Sequence, residues 1–383
     1  MSKINDLIKE MCPNGIEYKL LKDVSEMKRG QSITTKNLKV GKIPVIAGGQ
    51  EPSFYNDKYN RKGETITVSS SGAYAGFLNY WNEPILCTDS FSIKAKKLNM
   101  RYLYHYLKMK QNEIYNKKRG AGIPHVHISD LEKFKIPCPP LEVQGEIVKI
   151  LDKFGELEAE LEAELEARKS QYEFWHKKIF DNSNGKVAKL SDLCIIGDGL
   201  HGTPHYVDES EYYFINGNNL NNGKITYDNK TKKVSKKDFD NQSILLNDNT
   251  LLMSINGTIG KVSYYNNEKI MLGKSVAYFN IKDKNRLSKK YLYYLLQSPN
   301  SIKYYQDSLT GSTILNLGLK SLREFEVQIP SIDEQNRVAN ILERFDKLIN
   351  DITVGIPAEI ELRRKQYEYY RNKLLSFEEL YYE

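Results

Sequence analysis

Three short patterns in this 383-residue chain have spacing that could carry chemistry. Gly197-Asp198-Gly199-Leu200-His201-Gly202 fits G-x-G-x-x-G and follows the apolar Leu193-Cys194-Ile195-Ile196. That turn cradles a dinucleotide only when a helix opens directly behind it, so that phosphate meets the helix N-terminus. Thr203-Pro204-His205-Tyr206 follows instead, which is loop chemistry, and nucleotide binding is set aside. His201 and His205 have H-x-x-x-H spacing, and His125-Val126-His127 is H-x-H. Metal ligation needs convergent partners, and no carboxylate or cysteine motif stands ready to supply them. Histidines that hold turns or face DNA fit better. The sequence has no Walker A loop, nucleophile elbow, H-E-x-x-H or Asn-Pro-Pro-aromatic tetrad of the amino-methyltransferases. The chain reads as non-catalytic, with no metal.

Polar, glycine-containing loops offer a different chemistry. In the first half they are Lys28-Arg29-Gly30-Gln31, Gly48-Gly49-Gln50, Ser69 to Tyr74 and Lys117-Lys118-Arg119-Gly120. In the second they are His201 to His205, Asn216-Gly217-Asn218-Asn219, Asn256-Gly257-Thr258 and Lys274-Ser275. Glycine admits close backbone approach to a ligand. Asn and Gln bond adenine bidentately, Arg and Lys take guanine or phosphate, and Ser and Thr serve either. The DNA-contacting candidates are Lys28, Arg29, Gln31, Gly48, Gly49, Gln50, Ser70, Ser71, Tyr74, Lys117, Lys118 and Arg119 in the first half. His201, Thr203, His205, Asn216, Asn218, Asn219, Asn256, Thr258 and Lys274 are those of the second. The competing reading is plain: Asn-Gly and Ser-Gly clusters also simply build turns.

Composition is compatible with such a role. The chain carries 27 Tyr against 13 Phe and 2 Trp, and tyrosine suits half-wet surfaces that grip a polar partner. A net charge of +7 permits a polyanionic partner. Four scattered cysteines without a C-x-x-C pair fit reduced thiols. No apolar run reaches membrane-spanning length and the N-terminus lacks a signal-peptide core, so a cytoplasmic protein without a membrane partner is expected.

The elements that must position these loops are written twice. Gly120 to Leu157 aligns without a gap on Gly311 to Leu348, matching Pro139 with Pro330, Gln144 with Gln335 and Phe154 with Phe345. Arg168 to Glu173 answers Arg363 to Glu368 with four residues more between. Thr65 to Gly72 repeats faintly as Thr250 to Gly257. A well-matched helical stretch beside a weakly matched loop-rich stretch suggests a shared scaffold carrying two different readers. From Leu141 to Phe180, apolar positions step by three and four through Ile147, Leu151, Phe154, Leu157, Leu161 and Leu165, as a coiled-coil-like seam requires. Val338, Leu342, Phe345, Leu348 and Ile352 continue the seam in the second copy, with a capping box expected from Ser331 and Glu334. Gly355-Ile356-Pro357 falls within the four-residue excess and should kink or break that helix. The expected fold is α+β: globular segments at 1–140 and 182–330, spacer helices at 141–181 and 331–379, the helices antiparallel in a coiled coil. Helices are expected at about Met100 to Asn116 and about Lys289 to Tyr305.

With these residues in place, the chain resembles the specificity subunit of type I restriction–modification systems over essentially its whole length. The likeness rests on Ile136-Pro137-Cys138-Pro139-Pro140-Leu141-Glu142-Val143-Gln144 running into Ile147 to Phe154, on Arg168 to Glu173, and on their C-terminal copies. Gly199 to Pro204 and Gly48-Gly49-Gln50 resemble loops of that family's target-recognition domains. The resemblance implies two target-recognition domains, each reading half of a split, asymmetric site in double-stranded DNA. It implies helices that set the half-site separation and dock two methylation subunits, with restriction subunits added in the full complex. S-adenosylmethionine, ATP and Mg2+ would belong to those partners, and this chain would hold no cofactor. Two rivals remain: an adaptor whose β-rich parts bind protein or glycan, and a fused methyltransferase, which the missing tetrad disfavours.

Overall fold

A computed structural model describes residues 2–33, 39–120, 122–181, 184–242, 244–311 and 315–379. Packing divides the chain into two units, 1–162 with 359–383, and 163–358. Each is a mixed helix-and-sheet assembly, and the two are built alike.

In the first unit, strands Ser25–Arg29, Ser90–Ala95, Thr65–Ser69 and Leu78–Trp81 lie side by side in that order, all antiparallel. In the second, Cys194–Asp198, Val276–Ile281, Thr250–Ser254 and Val262–Tyr264 do the same. The central strand of each is buried on both faces. Alternation explains what each face meets. Ile66 and Val68 join Leu103 and Leu107 of the helix Met100–Met109, while Leu251 and Met253 join Tyr291 and Leu295 of Lys289–Leu296. On the opposite face Thr67 accepts the Trp81 indole N–H at 2.9 Å, and Leu252 packs with Ile215 and Leu272 of a smaller sheet. Each smaller sheet contains one parallel pair: Val40–Ile46 with Leu86–Cys87, and Tyr213–Ile215 with Ile270–Leu272. Both expected helices are interrupted. The first becomes Met100–Met109 and Gln111–Tyr115; the second breaks before Pro299, which opens the helix Pro299–Asp307 because it has no N–H to lose there.

Leu141–Asp181 is one continuous helix of 41 residues. Its start follows a short ladder, Tyr18–Leu20 with Lys135–Pro137, which Lys186–Lys189 with Glu326–Ile329 repeats. The distal copy is split into Ile332–Asn350 and Ile356–Leu375. Gly355 turns the chain so tightly that a Cβ would sit 2.5 to 2.7 Å from the carbonyl oxygens of Lys347, Asp351 and Leu348. Ser331 caps the Glu334 N–H, but the Glu334 carboxylate pairs with Arg337, so only half of the expected capping box forms. No helix among the described residues is long and apolar enough to cross a membrane.

Within the first unit the two helical stretches run antiparallel. Phe154 stacks on Tyr370 with ring centres 5.4 Å apart, while Arg364 reaches Glu158 and, at 2.7 Å, Glu162. Within the second, Tyr172 meets Phe345 at 6.4 Å, and Trp175 and Ile179 line one groove with Glu334 and Val338. Ile147, Leu151, Val338 and Leu342 are buried, and Leu157, Leu161 and Leu165 are half-buried. Leu348 and Ile352 depart from the expected seam, at 38% and 81% exposure. Within the last turn of the helix Ile332–Asn350 it is Ile349 that is buried, and Ile352 lies beyond the helix end.

A buried glutamine locks each helix to its sheet unit. Gln144 accepts the Asn99 N–H at 2.8 Å and donates to the Pro139 carbonyl at 2.7 Å. Gln335 accepts the Ser288 N–H at 2.8 Å and donates to Pro330 and Arg286. Asn99 and Ser288 are the N-cap residues of the helices that cover the sheets. Gln144→Ala strands a buried N–H and is expected to cost about 1–3 kcal/mol, as is Gln335→Ala. Denaturant unfolding of each variant measures this, and losses below about 0.5 kcal/mol would reduce the glutamines to filler.

Candidate nucleic-acid interface

Main-chain hydrogen bonds gather the candidate loops of the first unit at one end of its larger sheet. Beyond Arg29, Gly30 N–H donates to the Ser90 carbonyl at 2.7 Å and Gln31 N–H to that of Cys87 at 3.0 Å. Ser70 N–H reaches the Asp89 carbonyl at 3.2 Å, Val126 N–H that of Ser70 and Gly72 N–H that of Pro124, both at 3.0 Å. Arg119 and His125 exchange both of their backbone bonds. Ser69 Oγ ties in Gly49, Asn79 Nδ2 ties in Gln50, and Lys118 Nζ reaches the Ala73 carbonyl. All four candidate loops therefore converge. Two further segments complete a cleft of about 350 Å³ lined by Arg29, Ser70, Asp89, His125 and His127: Cys87–Ser90, which sequence reasoning missed, and Ile123–Ile128, which holds the His125-Val126-His127 pattern. The two imidazoles lie parallel, 6.0 Å apart.

The second unit repeats this lattice of bonds. Leu200 N–H donates to the Leu272 carbonyl, Lys274 N–H to Leu200, Ile255 N–H to Ser275, Gly257 N–H to Leu315 and Leu317 N–H to Ile255, at 2.7 to 3.1 Å. Gly217 N–H donates to Ser275 Oγ, which in turn donates to Asn216 Oδ1, and Asn256 Nδ2 reaches the Lys274 carbonyl. The missed segment here is Leu315–Leu317. The repeat that matches Gly120 with Gly311 places it opposite the first unit's Pro124 to Val126. His201 is held by Asp198 at 2.8 Å, and His205 N–H donates to Asp238 at 3.0 Å.

The side chains differ in what they leave open. Lys28, Arg29, Gln31, Gln50, Tyr74, Lys117 and Arg119 are exposed, as are His201, Thr203, His205, Asn216, Asn218, Thr258 and Lys274. Ser70, Ser71, Lys118 and Asn256 are half-buried. Asn219 leaves the contact set: it is buried, accepts the Asn216 N–H, and donates to Thr226 and Thr231 to hold its own turn. Gly48 is required by internal packing, since a Cβ would meet the Ser71 carbonyl at 2.7 Å. Arg119 also pairs with the buried Asp130 at 2.7 Å, which anchors its loop. Among the described residues, no group of three His, Cys, Asp or Glu is placed to hold a metal.

Behind the first unit's sheet, at the helical stem, lies a charged network that composition did not reveal. Arg101 grips Asp152 through Nε at 3.1 Å and Nη2 at 2.5 Å, and stacks on Tyr80 at 4.4 Å. His105 Nε2 lies 2.7 Å from Asp152 and Nδ1 lies 3.0 Å from the Tyr367 hydroxyl. Burial pushes the Asp152 carboxyl up, yet the bonds from His105 and Arg101 outweigh it and hold it down at about 2. Burial holds the His105 imidazole below its ordinary range against the pull of Asp152. Neutral His105 must then donate from Nε2 to the carboxylate and accept at Nδ1 from Tyr367, whose own phenol burial pushes up to about 12.

Comparison with known proteins follows the same division into two copies. The family described as "Type I restriction modification DNA specificity domain" matches residues 13–167 and again 182–362. The specificity subunit of the Escherichia coli type I restriction enzyme EcoR124I/EcoR124II is 32% identical over 370 residues, covering 84% of this chain and 88% of that protein. A crystal structure of a type I S subunit from M. genitalium is similar in fold, with a TM-score of 0.59 and 18% identity over 94% of this chain and 96% of that one. A chain from a structural study of type I R-M complex assembly gives 0.65 with 15% identity, covering 95% and 98%.

The network makes stability depend on pH. A histidine held neutral in the fold loses ground as soon as the unfolded chain takes up a proton, so stability falls as pH drops below about 6.5. Asp152 adds a second loss as pH falls from 3.8 toward 2. Buried His176 behaves as His105 does. His105→Gln is therefore expected to flatten, but not abolish, the decline in urea midpoint between about pH 6.5 and 5. An unchanged slope would contradict the neutral assignment.

Proposed function

The chain belongs to the type I restriction–modification DNA specificity family, and from that membership we propose that it reads a two-part DNA site, one unlike half per unit. It is a specificity subunit, whose work is recognition of DNA sequence. The observation that carries the two-part reading is a matched lattice with unmatched side chains. Ser70 N–H bonds Asp89 as Ile255 N–H bonds Ser275, and Gly72 N–H bonds Pro124 as Gly257 N–H bonds Leu315. By the bridges Ser71 with His125 and Asn256 with Asn316, serine and histidine in one unit stand where two asparagines stand in the other. Equal backbones with unequal donors and acceptors suit two half-sites of different sequence.

In this reading Arg29, Lys117, Lys118 and Lys274 neutralise phosphate, while His205, Ser71, Asn216, Asn256 and Thr258 hydrogen-bond phosphate or base edges. The chain contributes no chemistry of its own. It works in the cytoplasm with two methylation subunits that carry S-adenosylmethionine and methylate adenine. Restriction subunits that use ATP and Mg2+ join in the full complex. The helix Leu141–Asp181 sets the distance between half-sites, because its length is fixed at about 1.5 Å per residue.

The test deletes Glu164 to Ala167, which spares the partners of Arg364 and shortens the helix by about 6 Å, with a phase change of only about 40°. Methylated-adenine sequencing in cells with the partner subunits should then show both half-sequences retained and their separation reduced by about two base pairs. Altered half-sequences with an unchanged gap, in a complex that still assembles, would refute the ruler.

A further inference from the structure

We propose that Asp89 is a specificity-determining residue of the first unit: its carboxylate accepts a hydrogen bond from the exocyclic amino group of one base, adenine N6 or cytosine N4. The inference rests on the DNA-reading assignment above and adds the base chemistry.

Asp89 is an exposed carboxylate on the wall of the cleft it shares with Arg29, Ser70, His125 and His127. Its Oδ2 accepts the Ser71 hydroxyl, and Gly48 lies over the same oxygen, 3.3 Å from where a Cβ would stand. Those contacts hold Oδ2 and leave Oδ1 as an acceptor without a hydrogen-bond partner among the described residues. Three other acids near these loops are paired, Asp130 with Arg119, Asp198 with His201 and Asp238 with His205. Asp89 makes no ion pair among the described residues.

The scaffold does not demand an acid here. The equivalent carbonyl in the second unit, receiving Ile255 N–H as Asp89 receives Ser70 N–H, belongs to Ser275, and that unit builds the same lattice. A carboxylate is repelled by phosphate, so in a surface that meets DNA it needs a donor in return. On the floor of the major groove the base donors are the amino groups of adenine and cytosine. An acceptor-only group held at fixed geometry selects them over the keto oxygens of guanine and thymine.

Asp89→Asn keeps the shape and the Ser71 contact but replaces one acceptor by an N–H donor. Binding of the complex with its methylation subunits is measured on a panel of duplexes carrying every single base-pair change in both half-sites. The expected result is a roughly tenfold loss of discrimination, shifted toward a keto base, at one base pair of a single half-site, with the other half unaffected. Ser71→Ala, which releases the carboxylate, should loosen discrimination at that same pair. An Asp89→Asn complex with wild-type preference at every position overturns the proposal. So does an Asp89→Asn chain that fails to assemble while Ser71→Ala reads the site unchanged. If the unsubstituted complex recognises no two-part site, the failure belongs to the earlier reading and appears before any substitution is made.

Discussion

Everything else in each unit depends on a handful of main-chain hydrogen bonds at the end of one buried strand. Ser69 and Ser254 end strands that are covered on both faces, so the residues that follow emerge at a fixed point and in a fixed direction. There, Ser70 and Ile255 each bond one neighbouring loop through N–H and another through the carbonyl. Because these bonds use backbone only, they are indifferent to side chain. Serine, aspartate and histidine can occupy one set of positions, and isoleucine, serine and asparagine the other, without altering the frame. A frame of that kind can be duplicated and then diverge in what it recognises.

The helices obey the opposite rule, because their contacts are made by side chains. Gln144 and Gln335 satisfy the N-cap amides of the helices they meet, and a residue of different shape or polarity would leave those amides buried and unpaired. Tyr367 and Tyr172, the same residue in the two Arg-x-x-Gln-Tyr-Glu segments, each pack beside a buried histidine, His105 and His176. Yet the first unit's acid–arginine–histidine cluster has only a surface counterpart in the second, where Lys290 pairs with Glu343. Repetition preserved the packing and let the electrostatics drift.

This contrast explains what could be read from sequence. Spacings of three and four from Ile147 to Leu165 forecast one unbroken helix, and one runs from Leu141 to Asp181. Gly355 and Pro357 forecast an interruption, which falls at 351–355 between two helices. The seam misses at Ile352, which lies in the interruption, and at Leu348, where the last turn of the helix Ile332–Asn350 buries Ile349 instead. Turn glycines located most of the loops, but a turn residue does not announce whether its side chain faces out or in. Asn219 looked like a reader and proves to be an internal brace. Thr88 and Asp89 lack any glycine signal, and only strand pairing reveals that they share a rim with the rest.

The central claim is that two unlike readers occupy one frame. It is tested most directly by replacing residues 186–329 with residues 17–138, which duplicates the first reader, and sequencing the methylated sites made by the resulting complex. A split site whose two halves carry the same sequence in inverted orientation is the expected result. Retention of the parental asymmetric site, in a complex that assembles and methylates, would contradict it.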